Sequence, residues 1–205
     1  VGACGDLSPM SQIALSLMGG GEMIVNGEII DSKKALGEIG LEPLELEARD
    51  GLALINGSNV LTALAAITLY DAKKWMKLHD VAAAMTLEAL MANMKPYDKR
   101  IHELRGFSGS QIIANNLNIL TEESEILFSG GKKVQDAYSM RSTPQVAGTL
   151  RDSINYAVSQ VEIELNGVGD NPIFLTEEKD VLTGANFQGS PVALPMEMIG
   201  TGLSM

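Results

Sequence analysis

The sequence predicts a mainly α fold, a bundle of long helices with one small β-hairpin near the N-terminus. Apolar residues recur every three or four positions over long stretches, from Val60 through Tyr70 and again at Leu150, Ile154, Ala157, Val158, Val161 and Leu165. Aromatic residues make up only 4% of a chain that is 45% hydrophobic and carries 11 methionines, so the core is filled mainly by aliphatic side chains on helices. One strong two-residue turn, Asn26-Gly27, lies between β-branched flanks and marks the hairpin. At 205 residues the chain is long enough to bury a substantial core.

The elements follow in order. Ser8 before Pro9 suits a helix cap and first-turn proline, with Ile13 and Leu17 on the apolar side and Gly19-Gly20-Gly21 as the stop. No Gly-Lys-Ser follows those glycines, so they read as a loop and not as a phosphate cradle. After the hairpin over Glu22 to Ile30, Asp31 or Ser32 caps a short helix from Lys33 to Ile39 that Gly40 closes. Asn56 falls at a break between helices, where its amide can cap or face a ligand. The helix after it continues through Asp80 to Met94, and Pro96 stops it. A further helix covers Gln111 to Leu120, Ser129-Gly130-Gly131 forms a loop, and an amphipathic helix runs from Gly148 to Leu165 until Asn166-Gly167 ends it.

Composition also excludes some classes of function. A net charge of -11 argues against a partner held by phosphate contacts, as in nucleic-acid binding. The single cysteine, Cys4, cannot form an internal disulfide, and a cytoplasmic setting is expected. The apolar run Ile13 to Met18 is too short to span a bilayer and has no basic leader, so no membrane segment is expected. His79 and His102 lack the short-spaced partners of a metal site or a catalytic triad and read as structural histidines.

The chemistry concentrates in the first residues. Ala3-Cys4-Gly5 places three small residues together, and Gly2 and Gly5 allow a tight bend. In such a bend the Gly5 amide nitrogen can attack the Ala3 carbonyl carbon and close a five-membered ring. Loss of hydrogen sulfide from Cys4 would then leave an exocyclic methylene conjugated to the ring carbonyl, an electrophile that no unmodified side chain supplies. A helix beginning just after this segment would direct its amide end, and the positive pole of its dipole, towards that carbonyl. Further along, Tyr138 and Arg141 are three residues apart and can approach one ligand together, the guanidinium fork being suited to a carboxylate.

Gly2-Ala3-Cys4-Gly5-Asp6-Leu7-Ser8-Pro9-Met10 resembles the Gly-Ala-Ser-Gly-Asp-Leu-x-Pro-Leu motif of the histidine and phenylalanine ammonia-lyase family. Gly51 to Ser58, Ile101 to Gln111, Val134 to Gln145, Gly169 to Ile173 and Asn186 to Ala193 resemble further blocks of the same family, in the same order. The likeness thus covers the whole chain, 1–205, and implies the central helical portion of that fold. Family members are longer, with an N-terminal loop that bears a tyrosine base and a C-terminal helical region, so the chain is expected to be part of a longer enzyme.

The resemblance implies that Ala3-Cys4-Gly5 forms 4-methylidene-imidazol-5-one (MIO), with Cys4 where the family has serine. A thiol is a competent leaving group, yet the same substitution is a way to leave the chain unprocessed. By the same likeness Asn56 lines the active site, Arg141 holds the α-carboxylate of an amino acid, Tyr138 lies beside the amine and the reactive methylene, and Gln145 is a polar neighbour. Phe187 becomes an aromatic wall, although as a bare sequence feature it is a core phenylalanine. Gln188 leans towards phenylalanine or tyrosine over histidine. The implied activity is elimination of ammonia from an aromatic amino acid to give an aryl acrylate, or the sister aminomutase reaction. The implied assembly is a homotetramer whose active sites combine several subunits, so that a second polypeptide could supply missing segments. The competing expectation is a non-catalytic helical assembly subunit that forms no MIO.

Overall fold

The computed structural model describes residues 6–205; Ala3, Cys4 and Gly5 lie outside the described residues. In chain order the elements are α1 (Ser8–Leu17), β1 (Glu22–Val25), β2 (Glu28–Asp31), α2 (Ser32–Glu38), α3 (Asp50–Ile55), α4 (Asn59–Ala89) and a 3-10 turn (Lys95–Tyr97). There follow α5 (Lys99–Arg105), α6 (Ser108–Thr121), α7 (Glu125–Phe128), α8 (Tyr138–Arg141), α9 (Thr143–Asn166), β3 (Ile173–Leu175), β4 (Asp180–Leu182) and α10 (Ser190–Leu203). The fold is mainly α, as the periodicity requires. It divides into two compact units, one running up to Ala65 and including Val161–Ala193, the other made of Ala66–Gln160 and Leu194–Met205.

In the first unit α1 packs against α2 and α3. The cap expected of Ser8 is not made: Leu7 is the capping position, its side chain makes no cap, and Ser8 is already helical. Gly19 ends α1 at φ 78°, a conformation open to glycine, while the amides of Gly19 and Gly20 return to the carbonyls of Ser16 and Leu15. The hairpin forms as expected, with Val25 opposite Glu28 and the turn residues Asn26 and Gly27 at φ 51° and 87°. Asp31, of the two candidates, caps α2 by accepting the Lys34 amide at 3.0 Å.

A second antiparallel hairpin, β3 with β4, departs from the single hairpin expected, its strands of three residues being too short to display an alternating pattern. Its approach is fixed by Arg49. The guanidinium pairs with Asp170, donates to the Pro172 carbonyl at 2.5 Å and lies 4.4 Å from the centroid of the Phe174 ring. The Arg49 hydrogen bond holds the Asp170 carboxyl below its ordinary range.

In the second unit the core is aliphatic, with Leu69, Met76, Ala84 and Leu87 of α4, Ile113 and Leu117 of α6, and Leu150 and Ile154 of α9 all buried. The helices α6 and α9 touch backbone to backbone. A Cβ placed on Gly109 would overlap the Gly148 carbonyl oxygen, so only glycine fits on either side. The Gly109 amide is satisfied by Asp152 at 2.8 Å.

Three helix bounds differ from those expected by three residues or more. α4 stops at Ala89 and does not reach Met94, because Met91 turns left-handed at φ 50° and the Ala92 amide returns to the Leu87 carbonyl. α6 begins at Ser108, three residues before Gln111, directly after Gly106 has closed α5 at φ 86°. α9 begins at Thr143, five residues before Gly148, because Pro144 occupies a first-turn position where no amide is needed. Among the described residues one helical stretch, Asp50–Ala89, is long and apolar enough by composition to cross a membrane, with a mean hydropathy of 1.7 in its best window. The length argument made for Ile13 to Met18 does not extend to this stretch. Its exposed apolar residues include Leu64, Ile67 and Tyr70, which suit a partner helix as well as lipid.

Candidate active site

The second unit brings Tyr138, Arg141 and Gln145 together. Tyr138 and Arg141 open and close α8, a single turn of helix, and Gln145 lies one turn further on at the start of α9. The Arg141 guanidinium carbon lies 5.5 Å from the centroid of the Tyr138 ring, a cation over an aromatic face. The Tyr138 side chain is exposed, whereas Arg141 and Gln145 are half-buried. Two buried polar atoms in this group have no hydrogen-bond partner among the described residues, Nε of Arg141 and Oε1 of Gln145. Buried polar groups left unpaired cost free energy, and they stand out against the general rule that such atoms are satisfied.

Tyr138 also lines a cavity of about 480 Å³ with Ser142, Thr143, Trp75, His79 and Leu150. Both histidines have hydrogen-bond partners, and His79 has a position that the sequence does not announce, on the wall of this cavity. Its Nδ1 lies 3.3 Å from Oδ1 of Asp80, and its ring lies 5.6 Å from that of Trp75. Asp80 is buried, and its Oδ2 accepts from Asn116 at 2.7 Å and from Arg151 at 2.9 Å. Burial pushes the Asp80 carboxyl up, but hydrogen bonds from His79 and Asn116 and the charge of Arg151 outweigh it, leaving the group below its ordinary value. His102 is buried, with Nε2 at 2.9 Å from the Pro96 carbonyl.

The first unit holds Asn56, Phe187 and Gln188. Asn56 is the C-cap of α3 and half-buried, its amide returning to Leu52 at 3.0 Å, so it does sit at a break between helices. Two residues on, the Ser58 hydroxyl donates to the Glu164 carboxylate and pins the break, a contact between residues 106 apart that no local pattern reveals. The loop at Gly169 lies against this break, since a Cβ on Gly57 would stand 3.5 Å from its carbonyl oxygen. The same loop is tied to the segment that carries Phe187 and Gln188 through Asn186, whose side-chain amide donates to Val168 at 3.3 Å. Gln188 is exposed and lines a cleft of about 430 Å³ with Glu164, Gly167, Asn186 and Pro191. Phe187 is half-buried and not the fully enclosed core residue that the bare sequence suggests.

The group in the second unit offers chemistry complementary to a carboxylate and an amine. An anionic carboxylate satisfies the unpaired N–H of Arg141 and draws on a charge-assisted bond. A cationic amine suits the unpaired carbonyl of Gln145 and the oxygen of Tyr138.

The family described as aromatic amino acid lyase matches residues 1–205. The histidine ammonia-lyase of Alkaliphilus oremlandii (strain OhILAs) is 42% identical over 205 residues, which is 100% of this chain and 40% of the relative. Among solved structures, histidine ammonia-lyase from Trypanosoma cruzi superposes with a TM-score of 0.87 at 36% identity, over 99% of this chain and 38% of that one. Tyrosine aminomutase from Streptomyces globisporus does so with a TM-score of 0.87 at 32% identity, over 100% of this chain and 43% of that one. The chain thus spans about two fifths of the length of the proteins it resembles. From the match along its full length, the chain belongs to the aromatic amino acid lyase family.

Proposed function

We propose that this chain forms part of an ammonia-lyase that converts an aromatic amino acid to an aryl acrylate, with histidine as the first substrate to test. The observation that carries the reading is the buried Nε of Arg141, which with Oε1 of Gln145, four residues on, has no partner among the described residues, the guanidinium lying over the Tyr138 ring. Histidine comes first because a curated relative 42% identical to the chain is a histidine ammonia-lyase. Gln188 favours phenylalanine or tyrosine by family resemblance, and the assay therefore includes all three. A homotetramer is part of the same proposal, supported by exposed apolar side chains such as Leu104 and Val134, which are 90% and 95% accessible.

The residues available fit the prosthetic group that the family uses. Ala3-Cys4-Gly5 has the backbone atoms for ring closure and, in Cys4, a leaving group for the elimination, and α1 begins three residues on, at Ser8. MIO, once formed there, supplies the electrophile that makes the amine a leaving group. The rest falls to the chain's own side chains. Arg141 anchors the carboxylate through its fork, Gln145 accepts from the amine, and the Tyr138 hydroxyl holds a proton at the amine nitrogen. The base for the β-proton is not among these residues.

The test is spectrophotometric. Incubation with L-histidine, L-phenylalanine or L-tyrosine should give an acrylate chromophore and free ammonia, and Arg141→Ala should raise KM by roughly tenfold or more, the worth of a lost charge-assisted hydrogen bond. An unmodified Cys4 in the intact mass, together with no product from any of the three, would instead support a non-catalytic assembly subunit. The replacement of serine by Cys4 is the feature that keeps this second reading open.

A further inference from the structure

The one-turn helix α8 that carries Tyr138 and Arg141 is too short to hold itself. A single turn in water is unfavourable, because its nucleation fixes several dihedrals for one hydrogen bond. The stretch that leads into it, from Gly131 to Ala137, has no helix or strand and is almost wholly exposed, Val134 being 95% accessible. Neither regular structure nor burial of that stretch fixes where Tyr138 and Arg141 lie.

From α9 the Thr143 hydroxyl donates to the Met140 carbonyl at 2.8 Å, and two side chains from the short connection after α4 add the rest of the hold. Asn93, only 7% exposed, directs both its backbone amide and its side-chain amide to the segment. Its backbone amide donates to Asp136 Oδ2 at 2.6 Å, and its side-chain amide donates to the carbonyls of Lys133 at 2.9 Å and Val134 at 3.1 Å. Its Oδ1 accepts from the Lys95 amide at 3.1 Å, which fixes the side chain itself. Lys132 adds a bond from Nζ to the Met91 carbonyl at 3.0 Å. Tyr97, 1% exposed, reaches the other end of the segment: its hydroxyl donates to the Met140 carbonyl at 2.5 Å, inside the turn between Tyr138 and Arg141. Tyr97 is held in turn by Asn118, which donates to its carbonyl at 2.7 Å.

We propose that Asn93 and Tyr97 are positioning residues for the amino acid site, clamping the segment before α8 and the turn of α8 so that Arg141 and Tyr138 meet the substrate in a fixed geometry. Neither touches the proposed ligand; both act through the backbone of residues 133–140. The inference rests on the proposed lyase reading for its functional consequence, and on the hydrogen bonds alone for its structural one.

The experiment compares the protein with Asn93→Ala and Tyr97→Phe, the second removing one hydroxyl from a residue that otherwise keeps its packing. Where the parent turns over L-histidine, each variant should raise KM by about fivefold, the worth of one net hydrogen bond, with kcat changed less than KM. In an Arg141→Ala background the same substitutions should add little, since their effect passes through Arg141. An unchanged KM, or an equal increment in that background, overturns the proposal. If the parent turns over none of the three amino acids, the lyase reading fails on its own account, and amide hydrogen exchange decides the clamp. Faster exchange across residues 131–142 in the variants, with α6 still protected, upholds it, whereas unchanged exchange there overturns it.

Discussion

Arg151 places Nη2 2.9 Å from Oδ2 of Asp80, a carboxylate whose side chain is 4% exposed and which is shared with Asn116 at 2.7 Å. Removal of the carboxylate leaves the Arg151 guanidinium, whose side chain is only 19% exposed, without its partner, and breaking a buried pair in that way costs about 3–5 kcal/mol. Asp80→Ala should therefore lower the free energy of unfolding by that amount, as measured by urea unfolding followed by circular dichroism.

The same carboxylate gives a signed pH dependence. Its folded pKa lies below the ordinary value of 3.8, so its contribution to stability is complete above that value and is lost as pH falls through the folded one. Urea titrations between pH 6 and pH 3, values chosen roughly to bracket ordinary carboxylates, should show the parent losing stability at the acid end. Asp80→Asn should lose less over that interval, and parallel losses in both proteins would contradict the assignment.

Two helical glycines should respond in opposite senses to alanine. A Cβ on Gly148 would collide with the Ser110 amide nitrogen, backbone that cannot yield without parting α6 from α9. Gly148→Ala should cost about 1–3 kcal/mol or more by overpacking. Gly37 in α2 has nothing within 4 Å of where a methyl would stand and no positive φ, so Gly37→Ala should add about 0.4–1 kcal/mol by reducing the freedom of the unfolded chain. Thermal unfolding of the two variants beside the parent measures both.

Cys4 has its own test, independent of turnover. Ring closure removes one water, and elimination from Cys4 removes one hydrogen sulfide, so the intact mass should fall short of the encoded mass by both. Cys4→Ala cannot eliminate and should retain its sulfur-free side chain with no such deficit, while Cys4→Ser should lose two waters if the surrounding fold directs the cyclisation.

Much of this architecture is legible in the sequence because helices advertise themselves through apolar spacing, and the Asn26-Gly27 hairpin through its dipeptide. Bounds set by backbone conformation are not. Met91 ends α4 in a left-handed conformation without a glycine to signal it, and Pro144, a breaker in mid-helix, is a starter in the first turn. At the site, ordered sequence blocks mark Tyr138, Arg141 and Gln145, and the structure gathers these three in one unit. The long-range pairings of this unit are silent. Tyr97 reaches Met140 across 43 residues and Asp80 reaches Arg151 across 71, separations at which no periodicity survives.

The bare contact of Gly109 with Gly148 bears on the amino acid site as well, for Gln145 lies less than one turn upstream of Gly148. With backbone against backbone, the spacing of the two helices at this point is set by direct contact and not by a side chain that can change rotamer. In the proposed site the amide partner at the start of α9 is therefore placed as the chain folds, and less ordering entropy falls on the arrival of a ligand.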